Sequence, residues 1–549
     1  MAKQIIFGEK SRRALKSGID KAANAVKITL GPRGRNVALD KGYGSPTITN
    51  DGVSIAKEIS FKDKFENMGA EIVKEVASKT NDIAGDGTTT SVVLLQAIVE
   101  EGMKHTEAGL NAMGVRSGIE KATQDAVAAL KSFSKKIQND DEIKQVATIS
   151  AESEEIGAII ADTIKEVGKD GVVTVEESQG FGIDKEVVEG LEFDRGYVSA
   201  YMITDASRME ATYKDAQILI TDKKISSLQE VLPVLEKVAQ GGRKELVIIA
   251  DDVDGEALTT FVLNRLKGTF NVLAVKAPGY GDRKKEMLQD IAVMTGGEVI
   301  SETTGYTFEA TTLAMLGRAS KVISTKDSTV VVGGKGTKDA IKGRIAEVKK
   351  QIADTTSKFD KEKLEERLAK MSGGVAVIRV GAATETEMKY LKLKIEDAVN
   401  ATKAAIEEGI VAGGGSALAK VAFRLRENYE KMTVAKTPVS NETKVGYATV
   451  LKALEMPLRQ IAMNAGVEGG VVLEKVWQAS GNMGYDAVKN EVVDMLASGI
   501  VDPVKVTRTG LERAASAAAI LLTTEAAIAE EPKDEKDSPQ MPDMGDMGY

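Results

Sequence analysis

Two helical patterns meet at a short loop, Gly85-Asp86-Gly87, which constrains the fold of this chain more than any other feature of the sequence. The first pattern runs from Glu66 to about Thr80, and the second begins at Thr88. Glycine lets the backbone turn tightly, and the first turn of a helix presents unpaired N–H groups that suit an anion. Asp86 would repel a phosphate unless a cation lay between them, and Mg²⁺ is the usual one. The same residues also fit a plain turn in which Asp86 or Thr88 caps the second helix.

Two further turns nearby have a similar character. One is the glycine-proline break at residues 29–34, Thr-Leu-Gly-Pro-Arg-Gly, and the other is Asn-Asp-Gly at 50–52. Each turn presents backbone N–H groups together with a hydroxyl or a carboxylate. The sequence contains no P-loop and no clean dinucleotide-binding fingerprint.

The composition limits the chemistry that this chain can support. Its 549 residues are too many for one hydrophobic core, and the usual domain size suggests about three or four domains. There is no cysteine, and His105 is the only histidine, which excludes thiolate chemistry, a zinc cluster and a histidine-based triad. Any hydrolysis must therefore use carboxylates, hydroxyls, lysines and a hard metal ion.

Charge and hydropathy indicate the partners and the location. With 73 basic and 82 acidic residues the net charge is -9, which argues against a nucleic-acid surface. The first residues lack the apolar segment of a signal peptide, and the most apolar late segment, 514–528, contains polar residues and is too short to span a membrane. We expect a cytosolic protein with no nucleic-acid partner and no membrane partner.

The secondary-structure pattern changes twice along the chain. Clear helical patterns occur at 9–30, 110–135, 154–167 and 385–408. From about Gly190, short strands alternate with helices in the α/β pattern, at 218–220, 228–239, 246–250 and 254–266. Residues 349–371 are predicted as one long charged helix. After Glu530 the residues Pro, Asp, Lys, Met and Gly predominate, which indicates disorder.

Four sequence runs occur in the order and spacing of the group I chaperonins. They are Thr-Leu-Gly-Pro-Arg-Gly-Arg-Asn at 29–36, Asp-Gly-Val-Ser at 51–54, Gly-Asp-Gly-Thr-Thr-Thr at 85–90 and Gly-Ile-Val-Ala-Gly-Gly-Gly at 409–415. The chain resembles this family, which includes the bacterial sixty-kilodalton chaperonin, from about residue 3 to residue 528.

The resemblance implies a multidomain α + α/β fold with nested connectivity. A mostly helical equatorial domain would take both chain ends, 1–132 and 408–523. A small α/β intermediate domain would take 133–188 and 376–407, and an α/β apical domain, 189–375, would be inserted centrally. Residues 524–549 would form a flexible tail that contains Met, Gly and Asp.

The resemblance also implies ATP and Mg²⁺ as cofactors, with K⁺ as a further ion. Asp86 would bind Mg²⁺, and Thr29, Asn50 and Thr89 would help to bind K⁺. The residues expected around ATP are Thr29, Leu30, Gly31, Pro32, Asn50, Asp51, Gly52, Asp86, Gly87, Thr88, Thr89, Thr90, Ser150, Gly414, Asp486, Ala487, Val488 and Asp502. At Asn50 many relatives carry Lys, and at Asp486 many carry Asn, so the K⁺ site and base selectivity are where this chain departs from the family.

Asp397 corresponds to the family's catalytic carboxylate, with Asp51 close enough to assist. Asp397 would polarise the attacking water when the intermediate domain closes. From the sequence alone, Asp397 is better described as a solvated helix residue, because Lys394 and Glu396 make its surroundings an ordinary charged face, and only the resemblance favours the catalytic role.

A second set of residues corresponds to the family's apical surface, which binds non-native client proteins and the co-chaperonin. These residues are Tyr197, Tyr201, Met202, Leu232, Leu235, Leu258, Val262 and Leu263. The alternative is that the two helical apolar stripes at 228–238 and 258–265 are simply core. An exposed apolar collar would suit a protein that binds unfolded chains without reading their sequence.

Four charge pairs correspond to the family's ring contacts: Arg195 with Glu385, Glu154 with Lys394, Glu408 with Arg508, and Arg459 with Glu468. Each pair is also compatible with unremarkable surface charge.

These features predict an ATP hydrolase that acts as a folding chaperone. Two stacked heptameric rings would bind non-native proteins and enclose them under a small co-chaperonin lid. Two other classes stay open at this stage. One is a metabolic ATP-dependent enzyme with a small-molecule pocket, and the other is a binding protein that does not hydrolyse ATP.

Overall fold

The computed structural model describes residues 2–40, 46–168, 171–178, 180–206, 208–355, 357–434 and 439–531. Within the chain, contacts define two compact units. Unit 1 contains the residues up to Ala158 and those from Thr384 onward, and unit 2 contains Ile159–Ala383. The boundaries of the three-domain division stay a prediction.

The described part of the chain forms seventeen α-helices. They are α1 (Gly8–Lys27), α2 (Gly52–Glu58), α3 (Lys64–Ala84), α4 (Thr88–Glu107), α5 (Ala112–Phe133), α6 (Asp140–Ala151), α7 (Glu154–Val167), α8 (Leu228–Gln240), α9 (Gly255–Leu266), α10 (Asp282–Thr295), α11 (Lys338–Asp354), α12 (Lys358–Ser372), α13 (Glu385–Glu408), α14 (Ser416–Val434), α15 (Asn441–Asn464), α16 (Gly469–Gln478) and α17 (Val504–Leu522). Two short 3₁₀ helices cover Ala200–Met202 and Glu302–Thr304.

The strands are β1 (Lys3–Phe7), β2 (Val37–Leu39), β3 (Thr47–Thr49), β4 (Val172–Glu177), β5 (Gly182–Val188), β6 (Gly190–Phe193), β7 (Ala211–Thr221), β8 (Lys224–Ile225), β9 (Glu245–Ala250), β10 (Asp252–Val253), β11 (Asn271–Lys276), β12 (Val299–Ile300), β13 (Gly317–Ser324), β14 (Thr329–Gly334), β15 (Val375–Gly381), β16 (Ile410–Ala412), β17 (Met483–Asp486), β18 (Glu491–Asp494), β19 (Val501–Pro503) and β20 (Ala526–Glu530). Together with the helices, they confirm the predicted α + α/β class, because the helical residues concentrate in unit 1 and the larger sheet lies in unit 2.

Unit 1 is a helical body with a large apolar core, to which α1, α3, α4, α5, α14, α15 and α17 all contribute, and with smaller apolar clusters beside it. Helix α1 shows why these segments pack as they do. Leu15, Ile19, Ala22 and Val26 recur at spacings of three and four residues, so they share one face of the helix and are buried together. Short antiparallel pairs complete the unit, namely β1 with β20, β2 with β3, β16 with β19, and β17 with β18.

Unit 2 is built on a seven-stranded mixed sheet in the order β11-β9-β7-β13-β14-β6, with β12 beside β7. Strands β11, β9 and β7 run parallel, and residues 246–250 of β9 are all fully buried. A continuous apolar run of this kind is typical of a parallel strand covered on both faces. Strands β4, β15 and β5 form a separate small sheet in the same unit.

Most of the predicted elements lie close to their expected positions. The predicted helices at 154–167 and 385–408 coincide with α7 and α13, and those at 228–239 and 254–266 agree with α8 and α9 within one residue. The prediction of a single helix over 349–371 is wrong. Helix α11 ends at Asp354, and Ser357 begins α12 by accepting a hydrogen bond from the backbone N–H of Asp360.

The predicted tail at 524–549 is wrong at its beginning. Residues 526–530 form β20, which pairs antiparallel with β1 from Lys3 opposite Glu530 to Phe7 opposite Ala526. Ala527 and Ala529 are buried in this pair, so alternate small side chains give the segment an inward face that composition alone does not reveal. The prediction of disorder for 532–549 falls outside the described residues.

None of the helices in the described part of the chain has the length and apolar character needed to cross a membrane.

Candidate functional site

A cavity of about 660 Å³ lies within unit 1. The turns at residues 29–32, 50–52 and 86–90 line one part of it, and α13 and the 414–415 and 486–488 segments line the rest. Every residue predicted to contact ATP, including Ser150, lies in this lining, as does Asp397. The structure therefore brings the predicted site together, while nucleotide binding itself stays a prediction.

The loop before α4 is open toward the cavity. Gly87 occupies the capping position with φ of 79°, and no side chain caps the helix. The alternative in which Asp86 or Thr88 caps α4 is therefore wrong, and the N–H groups of the first turn have no side-chain acceptor. Asp86 instead accepts hydrogen bonds from the Gly87 N–H at 2.5 Å and from the Ser150 hydroxyl at 3.2 Å.

Asp51 has a structural role that is visible in the structure. Its carboxylate caps α2 by accepting hydrogen bonds from the N–H groups of Val53 at 3.2 Å and Ser54 at 3.0 Å. The neighbouring Gly52 has no side chain, and a Cβ there would lie 2.5 Å from the Thr89 hydroxyl oxygen. Glycine at this position lets the Asp51 turn approach the first turn of α4 closely.

Helix α13 brings Asp397 to the same cavity. Its Asn400 packs on Gly85, where an added Cβ would lie 2.1 Å from the Asn400 Cβ, so the helix lies directly against the loop. Burial raises the pKa of Asp397 well above its usual range, and the charges of Asp51 and Asp86 add to this effect. The alternative of an ordinary solvated helix residue does not hold for Asp397 in this structure.

Asp86 shares this electrostatic environment. Burial is the main cause of its raised pKa, and it outweighs the hydrogen bonds from Gly87 and Ser150. The charges of Asp51 and Glu152 raise the pKa of Asp86 further. These carboxylates therefore lie close together without enough positive charge to stabilise their ionised forms.

The cavity lining contains two more acids, Asp502 and Asp486. Burial raises the pKa of Asp502 to about 7 although the backbone N–H groups of Gly414 and Gly415 donate to its carboxylate. The pairing of β16 with β19 places Asp502 opposite Val411, next to these glycines. Asp486 uses one oxygen to accept from the N–H groups of Val488 at 2.9 Å and Lys489 at 3.1 Å.

The donor groups of the cavity suit a magnesium ion whose coordination shell is completed by phosphate oxygens. No group of three or more acidic, histidine or cysteine side chains among the described residues could hold a metal by itself. Mg²⁺ is commonly bound by one or two carboxylates together with phosphate oxygens and water, so a single carboxylate such as Asp86 is compatible with it, and Mg²⁺ binding stays a prediction. The Thr29 and Thr89 hydroxyl oxygens lie 3.3 Å apart, and Asn50 lines the same cavity, but K⁺ binding there stays a prediction.

The sequence did not indicate that Glu152 and Tyr390 belong to this cavity. Lys394 contacts both, at 2.7 Å from Glu152 and 3.1 Å from the Tyr390 hydroxyl. Burial lowers the pKa of Lys394, but the hydrogen bonds that its ammonium group donates to Glu152 and Tyr390, together with the charge of Glu152, more than offset this effect, so its pKa is raised. No sequence signal pointed to these residues, because α6 and α13 meet only in the folded chain.

The predicted charge pairs have different outcomes within this chain. Glu408 and Arg508 form the predicted ion pair, with Nε to Oε2 at 2.7 Å. Lys394 pairs with Glu152 instead of Glu154, and Glu154 pairs with Lys144 at 3.4 Å. The other two pairs stay predictions.

Unit 2 presents part of the predicted client-binding set to solvent. Tyr201 is 71% exposed and Leu263 is 49% exposed, and the carbonyl oxygen of Tyr201 accepts a hydrogen bond from Arg265 of α9 at 2.7 Å. Leu232 is also exposed, whereas four other members are half-buried: Tyr197, Leu235, Leu258 and Val262. The sequence prediction missed Leu266, which is 71% exposed one turn after Val262 and Leu263.

Met202 does not belong to this exposed set. Its side chain is fully buried, and its sulfur accepts a hydrogen bond from the Ala274 N–H at 3.2 Å. The 3₁₀ turn at 200–202 directs Tyr201 outward and Met202 into the core, so the structure contradicts client contact for Met202. The alternative of core packing likewise holds for Val231, Val238 and Phe261, which are buried.

A comparison with protein families agrees with the fold and the cavity. The model of the TCP-1/cpn60 chaperonin family matches residues 22–532 of the 549-residue chain, so the match covers both units. It excludes the alternative of an unrelated metabolic enzyme and identifies the protein as a molecular chaperone. The chain belongs to the TCP-1/cpn60 chaperonin family.

Proposed function

We propose that this chaperonin is of the group I type and hydrolyses ATP to drive the folding of non-native proteins. The observation that carries this proposal is the cavity of unit 1. It combines an uncapped helix N-terminus, glycine-containing turns and three acids, Asp51, Asp86 and Asp397. Few functions other than binding a metal nucleotide account for this combination.

The phosphates of ATP are best placed at the first turn of α4. The N–H groups of Thr88, Thr89 and Thr90 would bind phosphate oxygens, and Asp86 would hold Mg²⁺ between itself and the phosphates. When bound, the metal would neutralise negative charge that the acids would otherwise repel. Gly414, Asp486 and Asp502 line the same cavity and would contact the nucleoside.

Asp397 is the residue we propose for activating the attacking water. It lines the cavity on α13, and its raised pKa makes it a better proton acceptor than an ordinary aspartate once it is ionised. Asp51 already caps α2, so we assign it a supporting electrostatic role. No covalent intermediate is needed for this reaction.

The exposed apolar side chains of unit 2 support a client-binding role. Tyr201, Leu232 and Leu263 would contact non-native chains, which expose apolar surface without a common sequence. Further features of the group I type complete the proposal: two stacked heptameric rings, a small co-chaperonin lid and a cytosolic location. The absence of cysteine is compatible with a reducing compartment.

The central test replaces Asp397 by Asn. We expect steady-state ATP hydrolysis to fall by about 10²–10⁴-fold, while binding of ATP with Mg²⁺ changes little. Glu387→Gln is the matched control, because Glu387 is an exposed acid on the same helix and does not line the cavity. Hydrolysis should be unchanged in this control.

An unchanged hydrolysis rate in Asp397→Asn would remove Asp397 from the proposed role. A wild-type protein that binds ATP without hydrolysing it would instead favour the binding protein that is not an ATPase. Negative-stain electron microscopy tests the architecture independently, since group I assembly requires seven-fold rings. A client-aggregation assay with ATP, with and without a co-chaperonin, tests folding activity.

A further inference from the structure

An ion pair forms part of the wall of the cavity in unit 1. The Lys394 Nζ lies 2.7 Å from a Glu152 carboxylate oxygen and 3.1 Å from the Tyr390 hydroxyl. The Lys394 side chain is only 10% exposed, whereas that of Glu152 is 50% exposed. The ammonium group is therefore held in place inside the cavity by a partner that still reaches solvent.

Lys394 is the only basic residue among the described residues that line this cavity. The lining also contains seven acidic residues: Asp51, Asp86, Glu152, Glu154, Asp397, Asp486 and Asp502. A nucleoside triphosphate carries more negative charge than the diphosphate, so it needs more positive charge from its surroundings. Within this lining, Lys394 is the side chain that can provide it.

Helix geometry places Lys394 on the same face of α13 as Asp397 and Asn400. Lys394, Asp397 and Asn400 follow one another at intervals of three residues on α13, so they share a face and rise by about 4.5 Å per step. Asn400 packs on Gly85, and Asp397 lines the cavity one turn earlier. The charge of Glu152 also acts on Asp86, which places the ion pair near the proposed metal ligand.

The backbone of Glu152 is strained. It has φ of 51° at the end of α6, in the left-handed region that favours glycine. A non-glycine residue in this conformation costs about 1–2 kcal/mol, and such residues concentrate at functional sites. Among the described residues that line the cavity, Glu152 is the only one other than glycine with a positive φ.

We propose that Lys394 is the residue that distinguishes a nucleoside triphosphate from a diphosphate, and that Glu152 competes with the terminal phosphate for its ammonium group. This inference rests on the proposed function of the cavity as a nucleotide site. In the free protein Glu152 holds Lys394. When a triphosphate is bound, the terminal phosphate replaces Glu152 as the partner of Lys394.

The competition predicts effects of opposite sign for the two partners. Removing Lys394 removes an attraction to the terminal phosphate, whereas removing the charge of Glu152 frees Lys394 to bind it. If the ion pair were only structural, both substitutions would break the same contact and shift affinity in the same direction.

The experiment measures the affinities of ADP and of the non-hydrolysed β,γ-imido analogue of ATP, with Mg²⁺, by calorimetry on the full-length protein. For Lys394→Met we expect binding of the analogue to weaken about 10-fold or more, with ADP affinity within about twofold of wild type. Lys394→Arg should restore most of the affinity because it keeps the charge. Glu152→Gln should strengthen binding of the analogue by about threefold or more.

Two matched controls isolate the ion pair. Lys144→Met removes a lysine of α6 that pairs with Glu154 and does not line the cavity. Glu154→Gln removes a second acid from the cavity wall whose described partner is Lys144. Both should leave the preference for the analogue over ADP near the wild-type value.

Several outcomes would overturn the inference. One is a weaker affinity for the analogue in both Lys394→Met and Glu152→Gln. A second is an equal loss of affinity for the analogue and for ADP in Lys394→Met. A third is an increase in affinity for the analogue in Glu154→Gln that is as large as the increase in Glu152→Gln. Rescue by Lys394→Arg shows that any loss is not a folding defect. If the wild-type protein binds neither nucleotide, the proposed function itself fails, which is a distinct result.

Discussion

Acidic side chains of the two units differ in how much positive charge surrounds them. In unit 1, Asp86, Asp397 and Asp502 line a cavity with one lysine, and burial raises the pKa of each. In unit 2, Asp290 of α10 is only 4% exposed, but it lies between two arginines. Asp290 is buried, whereas the three cavity acids are half-buried, so the degree of burial alone does not explain why the cavity acids lack compensating charge.

The difference lies in the partners of the buried charge. Arg344 of α11 contacts Asp290 at 2.7 Å and Glu286 at 2.6 Å, and Arg367 of α12 contacts Asp290 at 2.9 Å. These contacts join three helices through one neutralised network. Burial lowers the pKa of Arg344, but the hydrogen bond and charge of Asp290, with Glu286 and Glu347, raise it above its ordinary value.

The comparison gives a criterion for separating structure from function in this chain. A buried acid with internal arginine partners holds helices together, because its charge is already compensated. A buried acid without such a partner destabilises the free protein and is compensated only when a cation or ligand binds. The following predictions test this distinction, beginning with the largest effect.

The largest stability effect is expected for Arg344→Met. This substitution leaves Asp290 and Glu286 with less compensating charge in a buried position and should cost about 3–5 kcal/mol. Hydrogen exchange of the α10, α11 and α12 amides measures the loss locally, because a chain with two units need not unfold in a single step.

Arg283→Met is the matched control for Arg344→Met. Arg283 forms an exposed pair with Asp360 at 2.9 Å, so its loss should cost no more than about 1 kcal/mol. Equal effects of the two substitutions would show that burial of the network contributes nothing, and the comparison would fail.

A smaller effect of opposite sign is expected for Asp502→Asn in the absence of nucleotide and Mg²⁺. The pKa of Asp502 is raised to about 7 in the folded protein, from 3.8 in the unfolded chain. The folded state therefore retains a proton that the unfolded state releases, and wild-type stability falls as pH rises from about 4 through 7. Because asparagine does not titrate, the Asp502→Asn variant does not lose stability in this way. Its melting temperature should therefore exceed that of wild type by a few degrees at pH 8.

The same comparison at pH 4 is the internal control. At pH 4 the folded state keeps the Asp502 proton and the unfolded chain still binds about half of it, so most of the advantage of the variant should be gone. A variant that melts below wild type at pH 8 would show that the Asp502 carboxylate is compensated in the free protein, as Asp290 is.

The smallest effect is a release of protons when ADP binds with Mg²⁺. A cation beside Asp86 favours the ionised forms of the cavity acids and reverses the effect of burial on their pKa. Calorimetry at pH 7 in two buffers of different ionisation enthalpy should detect a release of about one proton or less. Asp397→Asn should reduce the release, whereas net proton uptake would contradict the compensation argument.

The sequence was sufficient for features that depend on local spacing. Helix α13 coincides with its predicted range, and a tight turn at Gly85 and Gly87 was expected, although the sequence left open whether Asp86 or Thr88 caps α4. Local patterns also predicted the apolar runs of unit 2. The sequence prediction missed the boundary between α11 and α12, because charged residues predominate on both sides of it and the Ser357 cap was not recognised.

Features that depend on distant parts of the chain could not be predicted from spacing. Tyr201 and Met202 are adjacent and both apolar, yet one is exposed and the other is buried beneath Ala274. Lys394 pairs with Glu152 rather than Glu154, and Glu152 lies in the left-handed turn at the end of α6, which the sequence did not predict. Family resemblance located the cavity acids, but only the structure revealed their lack of compensating charge.

The nested connectivity also has a consequence for biosynthesis. Helices α4 and α5 pack on α15 and α17. The N-terminal part of unit 1 therefore cannot complete its packing until the C-terminal helices have been synthesised. At rates of about 5–20 residues per second, roughly 20–75 s pass between the synthesis of Ala158 and that of Glu531. Unit 2 is continuous in sequence and can fold during this interval. A nascent chaperonin chain therefore exposes apolar helix faces for tens of seconds and needs, during its own synthesis, the protection that the mature protein gives to others.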